Sequence, residues 1–370
     1  MEVPIIIEGQ PIDVGTSIGI ANFPEHGDDT RTLLRRADVS MYAAKRNKTG
    51  FTIYNPDLEV HRHEHLTLLG ELRRAVEQNQ LELYYQPKID IKQGRITAVE
   101  ALVRWHHPQR GFVPPNDFIP FAEQTGCIKL ITRWVIDAAT KQCGIWHTAG
   151  LSLKVSMNIS ARDLLDKDLL PYVSATIATY KVPVQLICFK VTESALMEDP
   201  VRAQETLQRL HDMGVRLSID DYGTGYSSLA YIKRLAVDEL KIDRTFVSGM
   251  DSDSQNSAIV RSTIELGHNL GMSVVAEGVE TELELRELTR FGCDHVQGHR
   301  ICKAMDVTQL MDWMSNSAWA DGTTGPRPIA TKLQCPSRER RAAQKSARAI
   351  EDSLQILQKN YFSTNARSMT

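Results

Sequence analysis

Short apolar runs alternate with longer stretches of helical periodicity through most of the chain. Each apolar run is followed by a polar or charged residue, a pattern typical of buried strands. These runs are Leu81–Tyr85, Ile96–Val99, Leu153–Met157, Leu186–Phe189, Val215–Ile219, Val237–Leu240, Ser273–Ala276 and Asp294–Val296. Helical spacing occurs in Leu66–Gln78, Asn116–Glu123, Ile128–Ala149, Asp168–Tyr180, Pro200–Met213, Ser254–Leu270, Thr281–Phe291 and Val307–Ser315. Strands and helices that alternate over about 250 residues predict an α/β barrel of the TIM type.

The beginning of this barrel departs from simple alternation. Leu81–Ile89 and Arg95–Val103 are separated only by a short turn that contains Gly94, which predicts a β-hairpin. One barrel strand should therefore run antiparallel to its neighbours. The predicted fold class is α/β, a modified (β/α)8 barrel with one antiparallel strand.

Residues 1–56 read as a separate unit. The runs Val3–Ile7 and Ile12–Ala21 predict two strands around a turn, Thr32–Arg46 has helical periodicity, and Gly50–Tyr54 predicts another strand. Because so few elements cannot bury a sufficient core of their own, this unit is expected to be part of a larger domain.

The rest of the chain divides into a polar linker at 57–65, the barrel domain at 66–316 and a basic tail at 317–370. Four apolar residues of the tail follow a heptad-like spacing: Ile350, Leu354, Leu357 and Tyr361. Two interpretations remain open, a helix that pairs with a partner or a second copy, and a partly disordered tail.

Composition and charge exclude several classes of protein. The chain is 42% hydrophobic and 24% charged, which is ordinary for a soluble globular protein. A formal net charge of -3 gives no bulk attraction to nucleic acid or to an acidic membrane surface. No apolar stretch approaches the roughly 20 residues that span a bilayer. The six cysteines form no C-x-x-C pair, so reduced thiols are favoured over disulfides or zinc, and a cytoplasmic location is expected.

The residues that follow the apolar runs form a chemically coherent set. In a parallel barrel the carboxyl ends of the strands meet at one rim, where active sites are built. Magnesium and manganese prefer carboxylate and other hard oxygen ligands, and two such ions can cleave a phosphodiester. The candidates are Gln86, Glu100, Asn158, Lys190, Asp220, Asp221, Lys241, Glu277 and Gln297.

Two longer segments carry a family resemblance. Glu100-Ala101-Leu102-Val103-Arg104-Trp105, together with Asp220-Asp221-Tyr222-Gly223-Thr224-Gly225, closely resembles the EAL domain of bacterial cyclic di-GMP phosphodiesterases. Further matches follow in the family's order at Gln86-Pro87, Asn158-Ile159-Ser160, Thr192-Glu193-Ser194, Leu240-Lys241-Ile242-Asp243, Glu277-Gly278-Val279-Glu280 and Gln297-Gly298. The amino-terminal unit resembles the closing half of a GGDEF domain through Ser17–Ala21, Ala37-Asp38 and Met41-Tyr42. The GGDEF signature itself is missing, so no cyclase activity is expected.

The EAL resemblance implies a ligand, a cofactor and a set of roles. The ligand is cyclic di-GMP, hydrolysed to linear pGpG with two Mg²⁺ or Mn²⁺ ions, and the family often forms homodimers. The implied metal ligands are Glu100, Asn158, Asp220 and Asp221. The implied catalytic residues are Lys241, which orients or activates water, with Asp221 and Glu277. The implied substrate-binding residues are Arg104, Gln86, Gln297 and Glu280, and Glu193 resembles the residue that anchors the loop after Asp221.

Three of these assignments have a simpler alternative. Arg104 could pair with a nearby acid instead of a phosphate. Glu280 could only favour the start of the next helix through its charge. Asp220 and Asp221 could form a turn before the two glycines, but the apolar strand in front of them favours a site.

Lys190 departs from the family pattern. The family has a metal-binding glutamate three residues before the position that matches Glu193, and this chain has lysine there. A protonated lysine has no lone pair for a metal and places positive charge where the cation should lie. Because Lys190 falls in a strand predicted to be buried, pairing with Glu100 or Asp220 is favoured over a side chain that points away.

This departure leaves two functional classes. One is a phosphodiesterase with weak activity, in which another residue such as Glu193 serves as a ligand. The other is a catalytically inactive receptor for cyclic di-GMP or a protein-interaction module. We expect hydrolysis to be weak or lost.

Overall fold

The computed structural model describes residues 5–7, 10–12, 16–47, 49–58, 70–224, 229–317 and 319. Most of this part of the chain is a closed barrel of eight strands with helices around it. Its strands are β5 (Leu81–Asp90), β6 (Arg95–His107), β8 (Lys154–Asn158), β9 (Ile187–Thr192), β10 (Arg216–Tyr222), β11 (Glu239–Ile242), β12 (Ser273–Ala276) and β13 (His295–Val296). The remaining strands are β1 (Ile5–Ile7), β2 (Gln10–Ile12), β3 (Ile18–Ile20), β4 (Phe51–Ile53) and β7 (Gly111–Val113).

Strand β5 gives the barrel its mixed character. It pairs antiparallel with β6 and with β13, whereas β6 and β8 to β13 pair in parallel, in the order β6-β8-β9-β10-β11-β12-β13. The predicted hairpin and the single antiparallel strand are therefore confirmed. Both hairpin strands are long, and β7 pairs with the end of β6 beyond the barrel. For this reason Gln86 and Glu100 lie within their strands, not at the strand ends as the apolar runs suggested.

The predicted helices are present, and the ends that are described differ from the expected bounds by a few residues. Residues 66–69, at the start of the helix predicted over Leu66–Gln78, lie outside the described residues. The longer helices are α1 (Thr30–Asn47), α2 (residues 70–77), α3 (Pro115–Thr125), α4 (Ile128–Thr148), α6 (Leu169–Tyr180), α8 (Pro200–Asp212), α11 (Ser254–Asn269), α12 (Glu282–Phe291) and α13 (Val307–Asn316). Helix α12 shows how the sequence marks the two ends of a helix. Thr281 and Glu284 form a capping box at its start, and Gly292 in the left-handed conformation ends it. Among the described helices, none is long and apolar enough to cross a membrane.

Four one-turn helices escaped the sequence analysis. They are α5 (Ala161–Leu164), α7 (Glu193–Leu196), α9 (Leu229–Ile232) and α10 (Arg244–Val247). All four follow barrel strands at the carboxyl rim, and four residues are too few to show a helical period.

The amino-terminal unit corrects one prediction. The run Ile12–Ala21 is not a single strand, because β2 pairs antiparallel with β1 whereas β3 pairs in parallel with β4. The two pairs form separate sheets, so β2 and β3 are two strands. Helix α1 connects β3 to β4, and Gly19 allows close packing, since a Cβ there would lie 1.9 Å from the carbonyl oxygen of Ala37.

The barrel interior is polar at two levels. At the lower level, Lys88 Nζ lies 2.5 Å from Glu239 Oε2, across the barrel from β5 to β11. The other oxygen, Glu239 Oε1, accepts a hydrogen bond of 3.0 Å from Ser218 Oγ. We call Lys88 and Glu239 the floor pair. Apolar residues fill the layer between the strands and the helices, including Val155, Phe189, Leu217, Ile219, Leu240 and Val274.

The described cysteines are all free thiols: Cys127, Cys143, Cys188, Cys293 and Cys302. The first four are buried, which confirms the expectation of reduced thiols for this part of the chain. Cys335, the tail at 320–370 and most of the predicted linker lie outside the described residues.

Candidate functional site

Five charged side chains meet inside the barrel one level above the floor pair. Ser218 and Glu239 each lie two residues before a member of this group on the same strand, as the alternation of a β-strand requires. We call the group the rim cluster. It consists of Glu100, Lys190, Asp220, Lys241 and Glu277.

Lys190 lies at the centre of the rim cluster. Its Nζ is 2.5 Å from Glu100 Oε1, 2.9 Å from Asp220 Oδ2 and 3.7 Å from Glu277 Oε1. The residue is only 3% exposed. The expected pairing with Glu100 and Asp220 is thus confirmed, and the ammonium group contacts both acids at once.

Lys241 is the second cation of the cluster. Its Nζ lies 3.2 Å from Glu100 Oε2 and 3.3 Å from Asp220 Oδ1, and it forms a close ion pair with Glu277. It is 1% exposed. Two ammonium groups therefore share three carboxylates in a compact, almost fully buried cluster.

The two lysines keep the acids ionised. Burial opposes the charge of Glu100, but Lys190 and Lys241 outweigh it and hold the pKa of this carboxyl well below its usual value. Asp220 behaves in the same way, and its pKa is also lowered despite burial. Burial likewise opposes the charge of Lys190, yet Asp220 and Glu100 raise its pKa above the ordinary value. The charges of Glu100, Asp220 and Lys190 therefore stabilise one another, whereas burial, together with the nearby ammonium group of Lys190, lowers the pKa of Lys241.

Asp221 lies beside the cluster but has a different environment. Burial, with the nearby carboxylates of Asp220 and Asp243, raises its pKa from 3.8 to about 6. Its backbone is in the left-handed region at φ 53°, which is uncommon for a residue with a side chain. Carboxylate oxygens of Asp220, Asp221 and Glu277 lie within 4.8 Å of one another.

These residues do not fit a pair of divalent ions. A cation bridging Glu100 and Asp220 would need the space that the Lys190 ammonium group fills, and a lysine offers no ligand in its place. The three oxygens of Asp220, Asp221 and Glu277 are hard ligands of the type that magnesium and manganese prefer. They could hold one such ion at most.

The amides of the site form a chain of hydrogen bonds with Glu100. Gln297 Nε2 donates to Glu100 Oε2 at 2.8 Å and lies 3.0 Å from Gln86 Oε1. Asn158 Nδ2 donates to Glu100 Oε1 at 3.2 Å. Together with the acids and Lys190, these residues line a cavity of about 270 Å³ whose wall also includes Arg244, Gly278, Glu280, Gly298 and His299.

Four of the predicted site residues are not part of this cavity wall. Lys241 and Asp221 lie beside the acids of the wall, whereas Arg104 and Glu193 have other surroundings. Arg104 Nη1 donates to the carbonyl of Val103 at 2.9 Å, and its guanidinium lies 5.5 Å from the ring centre of Tyr84. It lines a neighbouring, more apolar cavity, and no ion pair joins it to an acid among the described residues. Glu193 Oε2 accepts a 3.0 Å hydrogen bond from the backbone of Gly223, as a loop anchor would. Residues 225–228 of that loop lie outside the described residues.

Sequence reasoning missed Arg244 and the floor pair. Arg244 directly follows Asp243 in the matched segment, but its side chain could be assigned to the cavity only once α10 was known. Lys88 and Glu239 are 151 positions apart, so nothing local indicated their contact.

A mixed eight-stranded barrel whose carboxyl rim collects acids, amides and lysines around a cavity belongs to the class of TIM-barrel proteins with a site at that rim. Comparison with known families makes this specific. Residues 69–304 match the EAL domain, and residues 1–50 match the diguanylate cyclase GGDEF domain. This chain belongs to the EAL family, a metal-dependent family, and carries a short GGDEF-matching stretch before the barrel.

Individual relatives agree with this assignment. The chain is 40% identical over 310 residues to the bifunctional diguanylate cyclase/cyclic di-GMP phosphodiesterase MucR of Pseudomonas aeruginosa, covering 83% of this chain and 45% of MucR. It is 37% identical over 298 residues to the cyclic di-GMP phosphodiesterase PdeR of Escherichia coli, covering 80% of this chain and 45% of PdeR. The chain thus spans less than half the length of both relatives.

A solved structure extends the comparison to three dimensions. The MucR phosphodiesterase in complex with cyclic di-GMP superposes with a TM-score of 0.64 at 42% sequence identity. The match covers 66% of this chain and 99% of that structure. The modified TIM barrel predicted from the sequence is therefore confirmed as an EAL-type barrel.

Proposed function

We propose that this chain is a cyclic di-GMP-binding protein of the EAL family in which hydrolysis of the dinucleotide is weak or absent. The observation that carries this proposal is the position of Lys190, whose Nζ lies 2.5 Å from Glu100 Oε1 and 2.9 Å from Asp220 Oδ2. The ligand class is supported by the relatives named as phosphodiesterases and by the solved complex with cyclic di-GMP.

The chemistry follows from the cluster's charges. Hydrolysis of a phosphodiester needs a positioned water and positive charge at the developing oxyanions. In this chain the charge of Lys190 is directed to Glu100 and Asp220. Lys241, proposed to orient or activate the water, is held by Glu277 and both of these acids. A phosphate that enters the cavity therefore meets ammonium groups that are already paired with carboxylates.

A second candidate is a residual phosphodiesterase with a single ion. The closeness of Asp220, Asp221 and Glu277 supports it, since carboxylate oxygens of all three lie within 4.8 Å of one another. A rearranged site that uses Glu193 is less well supported, because this buried carboxylate holds the backbone of Gly223.

The test is a paired measurement on one sample of the purified chain. Calorimetry measures cyclic di-GMP binding with Mg²⁺, with Mn²⁺ and after EDTA treatment, and chromatography of the same mixtures measures pGpG. We expect binding that survives EDTA, with little or no pGpG. Rapid turnover would support the residual enzyme. Absence of binding under every condition would overturn the proposed function and favour a protein-interaction role.

We further propose the division into a partial GGDEF unit at 1–56, a linker at 57–65, the EAL barrel at 66–316 and a basic tail at 317–370. Limited proteolysis with mass spectrometry tests it, since cleavage should concentrate in the linker and the tail. Formation of a homodimer also remains a prediction, and sedimentation of the purified chain would test it.

A further inference from the structure

We propose that Arg244 is the residue that contacts a phosphate of the bound dinucleotide in this chain, an inference that rests on the function proposed above. A phosphodiester anion requires a cation that it can reach.

Among the described residues of the cavity wall, the lysine and arginine side chains are those of Lys190 and Arg244. Lys190 is buried and bound to two acids. The side chain of Arg244 is 65% exposed, and its Nη2 lies 3.9 Å from Glu280 Oε1. An ion pair this long and exposed is weak, so a phosphodiester can replace Glu280 as the partner of Arg244 at little cost. Arg244 is thus the accessible cation of the described wall.

The acids of the same wall make this cation necessary. Glu100, Asp220, Glu277 and Glu280 all line the cavity. Cyclic di-GMP carries two phosphodiesters, and their negative charges would be repelled by these carboxylates unless positive charge lay nearby. With Lys190 engaged by the rim cluster, that positive charge has to come from the open side of the cavity. An arginine there can bind two phosphate oxygens with its planar fork of donors.

The backbone holds Arg244 in place. Asp243 caps α10 by accepting a 2.8 Å hydrogen bond from the backbone of Thr245, which fixes the first residue of the helix, Arg244, against the rim. Gly278, with φ 69°, lies directly on the other side. A Cβ at this glycine would be 2.4 Å from Arg244 Cβ, so only glycine allows the loop after β12 to pack against the arginine stem. The stem is therefore fixed while the guanidinium remains accessible.

Arg104 is not equivalent. Its guanidinium donates to the carbonyl of Val103, lies over Tyr84 and faces the neighbouring cavity. Substitutions of the two arginines should therefore affect phosphate binding differently, since Arg244 lines the cavity of the rim cluster and Arg104 does not.

The experiment is calorimetric titration of cyclic di-GMP into the wild-type chain, Arg244→Gln, Arg244→Lys and Arg300→Gln. Arg300 is the matched control, since its side chain is 44% exposed and its Nη2 lies 2.8 Å from Glu282, but it is not part of the cavity wall. We expect Arg244→Gln to weaken binding about tenfold, Arg244→Lys to retain part of the affinity, and Arg300→Gln to change it less than about twofold. Binding to Arg244→Gln should also depend less on ionic strength than binding to the wild type.

Gly278→Ala provides an independent variant that leaves the arginine in the sequence. It should weaken binding as Arg244→Gln does, because the added methyl group displaces Arg244. Circular dichroism checks that each variant is folded. Equal affinities of wild type and Arg244→Gln would overturn this inference and leave the proposed function intact, as would an equal loss in Arg300→Gln. A wild-type chain that does not bind cyclic di-GMP would overturn both.

Discussion

The barrel interior buries charge at two levels, and the two levels balance it differently. At the lower level one lysine meets one glutamate, and Ser218 satisfies the second oxygen of Glu239. At the upper level two lysines share three carboxylates, and the carboxylate of Asp221 lies close by. The floor pair is closed and neutral. The rim cluster holds more acid than ammonium and opens onto a cavity.

This difference separates an enclosed structural ion pair from a charged cluster that borders a candidate ligand-binding cavity. A buried ion pair stabilises a fold only when its charges are matched and hydrogen-bonded. In the floor pair one lysine matches one glutamate, and both glutamate oxygens accept a hydrogen bond. An excess of buried carboxylates is costly unless cations are present. In the rim cluster, Lys190 and Lys241 supply the positive charge that partly balances the three carboxylates.

The largest expected effect concerns the floor pair. Lys88→Met leaves Glu239 charged in the barrel interior, so the free energy of unfolding should fall by about 3–5 kcal/mol. Urea denaturation followed by circular dichroism measures it. The double variant Lys88→Met with Glu239→Leu removes both charges and should recover most of the loss. A double variant as unstable as the single one would show that the two residues do not act as a closed pair.

The second prediction concerns the rim cluster. Lys190→Glu adds a fourth carboxylate to a cluster left with one lysine, so the variant should be strongly destabilised in EDTA. Mg²⁺ or Mn²⁺ should restore its thermal midpoint, because ions that bind only the folded state stabilise it by mass action. The wild-type midpoint should change little. The same variant should gain hydrolysis of cyclic di-GMP by about a hundredfold or more, as expected when charge stabilisation of the transition state returns.

Lys190→Met is the control for this substitution, since it removes the ammonium group without adding a ligand. An equal gain of hydrolysis in Lys190→Met and Lys190→Glu would show that the positive charge, not the missing carboxylate, limits the wild type. A folded, metal-loaded Lys190→Glu without hydrolysis would show that Lys190 is not the main defect. In each of these variants, Mg²⁺ or Mn²⁺ should leave the contribution of the floor pair to stability unchanged.

The two levels also differ in how far the sequence predicts them. Residues such as Asp220 and Lys241 stood out because each follows an apolar strand, and parallel strands bring their carboxyl ends to one rim. The long helices were equally readable from their period and caps. The floor pair was not, because Lys88 and Glu239 meet only through the register of the closed barrel. Arg244 was missed because the one-turn helix that positions it is too short to leave a periodic pattern.

The smallest expected effect concerns Asp221, which lies next to the rim cluster but forms no part of its ion pairs among the described residues. Its pKa in the folded chain is about 6, above its ordinary value of 3.8. The folded state therefore holds this proton more tightly than the unfolded state, and the resulting stability is present below about pH 4 and is lost as the pH rises through about 6. Asp221→Asn should remove this loss and stabilise the chain by about 1 kcal/mol near pH 8, a value reduced for the partial exposure of the group.

Asparagine is the right replacement because it tolerates the left-handed backbone that Asp221 adopts. Thermal unfolding of wild type and variant near pH 8 and near pH 4 measures the difference, and Asp251→Asn, at an exposed position outside the site, corrects for the change in net charge. If Asp221→Asn stabilises the chain equally at both pH values, the gain comes from the backbone. The charge of the Asp221 carboxylate would then be as well balanced as the charges of the rim cluster. An advantage confined to high pH, and abolished by Mn²⁺, would instead identify Asp221 as the carboxylate that the two lysines leave unbalanced.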